Sequence, residues 1–539
     1  MTLTHDLDRI VCAGNTFVVF AQVQNGRVQR AWSTGRMMRS LEMILESAEG
    51  PDGLPTFIPR ACCLCNDAHI AAAVRACEDL FGVEPPRPAR LIRSLVQAVR
   101  FLQEHLLHVY QYSLSDWACA QRALRADAAK AAAMDSGGRA PAYFQEAQVR
   151  LGDMQRRHAG GRSSSLADSE SYAGPDELHL LLHAHSFESL RVRKFLNAAL
   201  ESLGGSDSSH PAFQVGGVSD RLGLDSHTLR YVQSLLAQCR DFITGALLPD
   251  LEHTARSYPE WAVRGPSENF LSWGGFLGRD GRDALFPRGV FSLAPEGGRV
   301  RGQAADTAGV VEEEHLDWSA EDAAIYRLRL ESRGVAFSWG GGVLDWFVSP
   351  RHHAQACEVG PLARILGARA VNEKLVATEL DACLVRIGQP LTAMNSTLGR
   401  VLARGVEAAA LAEASLRWLD ELASELASGR ADLRSPLPAP PDGEGVGLVE
   451  IPRGALSHTI TVESGRITNH THLIPSLWNF APGGPEDRSP LESALERTPV
   501  EGESPLNLLR TIHAFSPCNA CVVVWEDVDK GTVSKTWAQ

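Results

Sequence analysis

Apolar and polar positions alternate through NTFVVFAQVQNGRVQRAWSTG (15–35) on both sides of an Asn-Gly pair, which predicts a β-hairpin near the N-terminus. From about residue 60 the period changes. AHIAAAVRACEDLFGV (68–83) has helical spacing and ends at a glycine, PPRPAR (85–90) restarts the chain, and LIRSLVQAVRFLQEHLLHVYQYSLSDW (91–117) continues as a long apolar-rich helix. Residues 125–175 turn small and polar and read as a mobile excursion between helices. Helical spacing returns at 188–203, 227–255, 372–388 and 396–428. A Pro-rich linker, SPLPAPPDGEG (435–445), then leads to strand-like alternation in SHTITVESGRITNHTHLI (457–474). No repeat of solenoid period is present. The pattern predicts a mostly helical α+β fold on a central helix bundle: a β-rich segment over 1–58, a helical core with insertions over 59–435, and a C-terminal segment over 436–539.

Composition narrows the classes. A chain of 539 residues, 44% hydrophobic and 22% charged, is globular and long enough for a large core, with two or three sub-domains. No stretch approaches the roughly 20 apolar residues that span a bilayer, and MTLTHDLDRI lacks the basic-then-apolar order of an export signal. The expected compartment is the cytoplasm, unless a partner carries the chain out. A net charge of -13 argues against nucleic acid, which requires basic patches. Eleven cysteines in a chain of this size do not suggest a disulfide framework; free thiols or thiolate ligands are the better expectation.

The cysteines are where chemistry enters. RACCLCNDAH (60–69) contains the C-x-x-C pair Cys62 and Cys65, and SPCNAC (516–521) contains Cys518 and Cys521. Such a pair lets two thiolates converge on one metal, and soft thiolates suit zinc, iron–sulfur, nickel or copper. Pairs this far apart do not resemble the local knuckles of a zinc finger; they would tie the two ends of a large fold to one buried site. Unligated buried thiols are the other reading of the same spacing.

The motifs, in order, resemble the large subunit of nickel–iron hydrogenases. CCLCNDAH (62–69) and SPCNAC (516–521) match its two cysteine motifs. STGRMMRSLEMIL (33–45), SSHPAFQVGGV (208–218), EVGPLARIL (358–366), STLGR (396–400), IPRGALSH (451–458), IPSLWNFAP (474–482) and LLRTIHAF (508–515) have counterparts in the expected order, so the likeness covers nearly the whole chain. It implies a central helix bundle with small peripheral β elements, and a nickel and an iron carrying cyanide and carbon monoxide. Cys62 and Cys518 would be terminal nickel ligands, and Cys65 and Cys521 would bridge the metals. Pro452 and Arg453 fall where the family places an arginine above the metals, in a role that orients and polarises. His69 would lie near a bridging sulfur, and Glu42 would help bind magnesium. The implied partners are an iron–sulfur small subunit and the proteins of hydrogenase maturation, with no membrane span in this chain.

The departures bear on mechanism. The family's proton-relaying glutamate is Val11 here, its aspartate before the C-terminal Pro-Cys is Ser516, and an aspartate in the helix after the first cysteine pair is Glu104. Glu104 and Cys12 are the substitute relay candidates. The family's terminal histidine, which marks a proteolytic processing point, is Val524, and residues 525–539 continue beyond it like an uncleaved extension. Hydrogen turnover, hydrogen sensing and a maturation scaffold therefore all remain open on sequence. Cys12, Cys63, Cys77, Cys119, Cys239, Cys357 and Cys383 are too scattered to hold an iron–sulfur cluster, so electron transfer would involve another chain or not occur.

Overall fold

The computed structural model describes residues 16–36, 50–51, 54, 58, 65–158, 169–205, 212–219, 222–277, 284–294, 299–303, 312–314, 349–353, 355–428, 432–481, 488–518 and 521–538. The N-terminal hairpin pairs β1 (Thr16–Gln24) with β2 (Arg27–Arg36). Asn25 and Gly26 take φ of 52° and 67°, the left-handed geometry of a tight hairpin turn. Helices α1 (Asn66–Phe81) and α2 (Arg87–Leu107) follow the predicted spacing, with Gly82 closing α1 in the left-handed conformation, but the run expected to continue to 117 passes into a π-helical turn at His108–Tyr112 and a short helix at Leu114–Trp117.

Four long elements pack around one another: α2, α3 (Asp176–Ser202), α4 (Ser226–Phe242) and α6 (Thr397–Ala427), with α5 (Pro361–Ala370) between α6 and a mixed sheet built on Phe270–Leu277 and Ala284–Leu293. Buried Leu95, Val99, Leu236, Val406 and Leu411 belong to one continuous core. Downstream, β3 (Gly443–Ile451), β4 (Gly454–Glu463) and β5 (Arg466–Leu473) form an antiparallel sheet with β5 at its edge. Helix α1 lies directly on β3, where a Cβ at Gly447 would meet the Ala72 carbonyl oxygen at 1.9 Å. Only glycine permits that approach.

The chain ends meet. After α7 (Leu506–Ala514), β6 (Cys521–Asp527) pairs parallel with β1 and antiparallel with β7 (Thr532–Ala538), in the order β7-β6-β1-β2. Val522, Val523, Val524 and Trp525 are all buried, so β6 runs unbroken through Val524 into the segment beyond it.

Two expectations need correction. Much of 125–175 is helical, with helices at Ala128–Met134 and Pro141–His158. The Asp127 carboxylate caps the first by accepting from the Ala129 and Lys130 amides, and Phe144, Ala147 and Leu151 bury an apolar stripe among residues of α3. Alanine-rich composition had read as small and polar although alanine is the best helix former. The helix expected from 188 begins twelve residues earlier, at Asp176, and its first turns bury Leu178, Leu180, Leu181 and Leu182 together with His179 and His185. No helix among the described residues is long and apolar enough to cross a membrane.

Candidate metal centre

Cys65 is the N-cap of α1. Its carbonyl accepts the Ala68 and His69 amides at 3.1 and 3.2 Å, while its side chain takes no part in capping. The thiol thus stands at the positive end of a helix, which favours thiolate. It lines a cavity of about 230 Å³ with Asp67, Arg100, Glu104, Pro452 and Arg453.

Pro452 and Arg453 form the two-residue turn between β3 and β4, where Ile451 pairs with Gly454. Gly454 has φ of 139°, and a Cβ there would meet Val359 at 2.5 Å and the Gly360 amide nitrogen at 2.9 Å, so the turn requires glycine. Arg364 of α5 holds the turn from behind. Its guanidinium donates to the Ile451 and Pro452 carbonyls, both at 3.0 Å, to Glu450 at 2.6 Å, and to both oxygens of Glu407 at 2.6 and 2.8 Å. All three charged groups are buried. Burial opposes the Glu407 carboxylate, but Arg364 and His105 more than offset it and draw its pKa down to about 2.

Arg453, itself only 8% exposed, donates to one Glu104 oxygen from Nη2 at 2.6 Å and from Nε at 2.9 Å. Burial works against its charge; Glu104, Cys518 and Cys65 overcome that and hold the guanidinium above its ordinary range. Both cysteine motifs therefore lie within the field of one arginine. Its remaining nitrogen, Nη1, is buried with no hydrogen-bond partner in the protein. A buried, unpaired cationic donor beside two thiols fits an electron-rich group held by those sulfurs.

The second motif is reached through a strained turn. Ser516 adopts φ of 52°, unusual for a residue with a Cβ. Arg404 fastens it by donating to the Ala514 carbonyl at 2.9 Å and to the Ser516 hydroxyl, and His108 Nδ1 lies 3.1 Å from that hydroxyl. Next comes Cys518, whose sulfur accepts the Ser476 hydroxyl proton at 3.1 Å while its amide donates to the same oxygen at 3.4 Å. Cys521 is the first residue of β6, in register with Phe17, fully buried, and burial pushes its thiol up.

Glu104, Pro452, Arg453 and Cys65 thus share one cavity, and Cys518 joins them electrostatically. His69 Nδ1 lies 2.9 Å from His458 Nε2. Cys62 and Glu42 lie outside the described residues, as do Val11, Cys12 and Cys63. Among the described residues no three His, Cys, Asp or Glu side chains are grouped to hold a metal by themselves. Cys77, Cys119, Cys239, Cys357 and Cys383 are buried, in keeping with ordinary core thiols. Sequence reasoning passed over Arg364, Arg404, Ser476, His458, His470 and His472; the alternate-position histidines in NHTH (469–472) were the available signal.

Residues 39–524 match the family described as nickel-dependent hydrogenase. The chain is 30% identical to the hydrogenase-2 large chain of Escherichia coli K12 over 95% of each chain, and 28% identical to the uptake hydrogenase large subunit of Rhizobium leguminosarum bv. viciae over 92% and 91%. Its fold is like that of the nickel–iron–selenium hydrogenase of D. vulgaris Hildenborough, with a TM-score of 0.71 at 23% identity over 94% and 98% of the two chains. The sequence motifs, the joined chain ends and these likenesses agree: the chain belongs to the nickel-dependent hydrogenase family.

Proposed function

We propose that this chain is the catalytic large subunit of a nickel–iron hydrogenase that splits hydrogen heterolytically and passes electrons to an iron–sulfur small subunit. The single observation that carries the reading is Arg453, a buried cation with one unpaired donor, set within the field of Cys65 and Cys518. Cys62, Cys65, Cys518 and Cys521 would hold nickel and iron, the second and fourth as bridges, with cyanide and carbon monoxide completing the iron. When bound, such a centre supplies the Lewis acid and electron sink that polarise hydrogen. Arg453 orients and stabilises charge there, because a guanidinium keeps its proton. Glu104, which pairs with Arg453 and lines the cavity, would be the group that exchanges a proton with the site. Glu42 would serve a magnesium site.

The test is isotope exchange between deuterium gas and water, catalysed by the chain purified with its small subunit from cells with active hydrogenase maturation. The reading expects exchange that disappears in Cys518→Ser. A fully metallated protein with no exchange above buffer contradicts it and favours a maturation scaffold. That second reading has one observation behind it: Ser516 is held by Arg404 and His108, so no carboxylate stands at that position to relay protons.

A further inference from the structure

Four histidines form an array where α1 packs on the sheet: His69 on α1, His458 on β4, and His470 and His472 on β5. His69 Nδ1 lies 2.9 Å from His458 Nε2, and His458 Nδ1 lies 3.0 Å from His470 Nε2. His458 and His472 are direct cross-strand partners. The His470 and His472 rings, two residues apart on one face, stack with centroids 5.9 Å apart. His69, His458 and His470 are buried, whereas His472 is only half-buried, on the edge strand of the sheet.

The connectivity matters more than the count. The two nitrogens of His458 face different neighbours, so the contacts run in series and do not converge on a point where a cation could sit. Burial, reinforced by the neighbouring imidazoles, holds His458 well below its ordinary range and draws His470 down to about 3. Both rings are therefore neutral near pH 7, and a neutral imidazole donates from one nitrogen and accepts at the other. Inert packing would place apolar or aromatic rings here, since a buried ring nitrogen without a partner is costly. Yet His470 Nδ1, the outer nitrogen of the series, is buried with no hydrogen-bond partner.

We propose that His458, His470 and His472, entered from His69, form a proton conduit from the Cys65 end of α1 to the edge of the β3–β5 sheet. The inner end is one helical turn from Cys65, whose carbonyl accepts the His69 amide. A proton arriving from His69 is taken at His458 Nε2 while His458 Nδ1 gives its own to His470 Nε2. His470 Nδ1 has no partner in this arrangement, so its ring turns toward the neighbouring, half-buried His472 before that proton is released there or to water. One proton enters, one leaves, and every ring is neutral before and after; ring rotation or transfer in the opposite sense resets the array. The conduit's use in hydrogen turnover rests on the reading of the cysteine site above, but its conduction does not.

The test is the exchange of the buried His458 ring proton with water, read by NMR on the full chain labelled with 15N-histidine. Exchange in the unmodified protein, slowed on the order of tenfold or more in His470→Gln and again in His470→Phe, is the expected result. An unchanged rate in the variants, or no exchange in the unmodified protein, overturns the conduit. Stoichiometric zinc binding by the unmodified protein that is lost in His470→Gln overturns it too, because the array would then be a metal site. Nickel and iron are measured in the same samples, so a failure of the cysteine reading is seen separately from a failure of the conduit.

Discussion

Cys65 and Cys521 carry the same thiol into opposite surroundings. Cys65 faces a polar cavity at a helix N-terminus within the field of Arg453. Cys521 opens an apolar strand, is fully buried, and is pushed toward the neutral thiol by burial. In the proposed ligand set, one thiol is thus prepared by electrostatics and the other by packing. A metal held there by Cys521 would displace its proton on binding.

The sharpest way to break this contrast is to replace each thiol. Cys521→Ser and Cys65→Ser are each expected to lose nickel and iron together, measured per chain; metal retained in Cys65→Ser alone would show that the electrostatically prepared half is dispensable. Next is Arg453→Ala, expected to keep its metal and lose about 10²- to 10³-fold in hydrogen turnover, as removal of a fixed charge-stabilising donor does. Arg453→Lys, which keeps the charge without the fork to Glu104, should fall between the two.

A second contrast sharpens the first. His185 is as buried as His458, but its Nδ1 meets Asp250 at 2.9 Å and its Nε2 lies 3.4 Å from Asp135. Burial disfavours its proton, yet Asp250 and Asp135 more than compensate and raise it to about 9. A group raised on folding stabilises fully below its unfolded value near 6.5 and loses that contribution as pH climbs through about 9. Denaturant unfolding between those pH values should therefore show a stability loss on the order of 3 kcal/mol that is absent in His185→Gln. Smallest is Ser476→Ala, which removes both hydrogen bonds between Ser476 and Cys518 and should cost about 1–2 kcal/mol of stability with metal content unchanged.

Local signals carried much of the fold. The Asn25-Gly26 turn, the glycine after α1, the Ser396 cap of α6 and the alternation in β4 and β5 are all short-range features of the chain. The helices at 128–134 and 141–158 were obscured because their apolar stripe is thin and gains meaning only against α3. At the candidate site, Arg453 and Glu104 were each legible as motif positions, but not their pairing, which spans 349 residues. Arg364 was illegible in a stronger sense. It sits in a helical run where an arginine reads as solvated, and only the tertiary fold brings Glu407, Glu450 and two backbone carbonyls around it.

The most direct test of the central claim is the nickel and iron content of the chain, purified from cells with active hydrogenase maturation and measured by elemental mass spectrometry beside Cys521→Ser. Equal nickel and iron are expected in the unmodified protein and neither metal in the variant. Iron without nickel, or metal content unchanged by the substitution, would contradict a two-metal centre held by these cysteines.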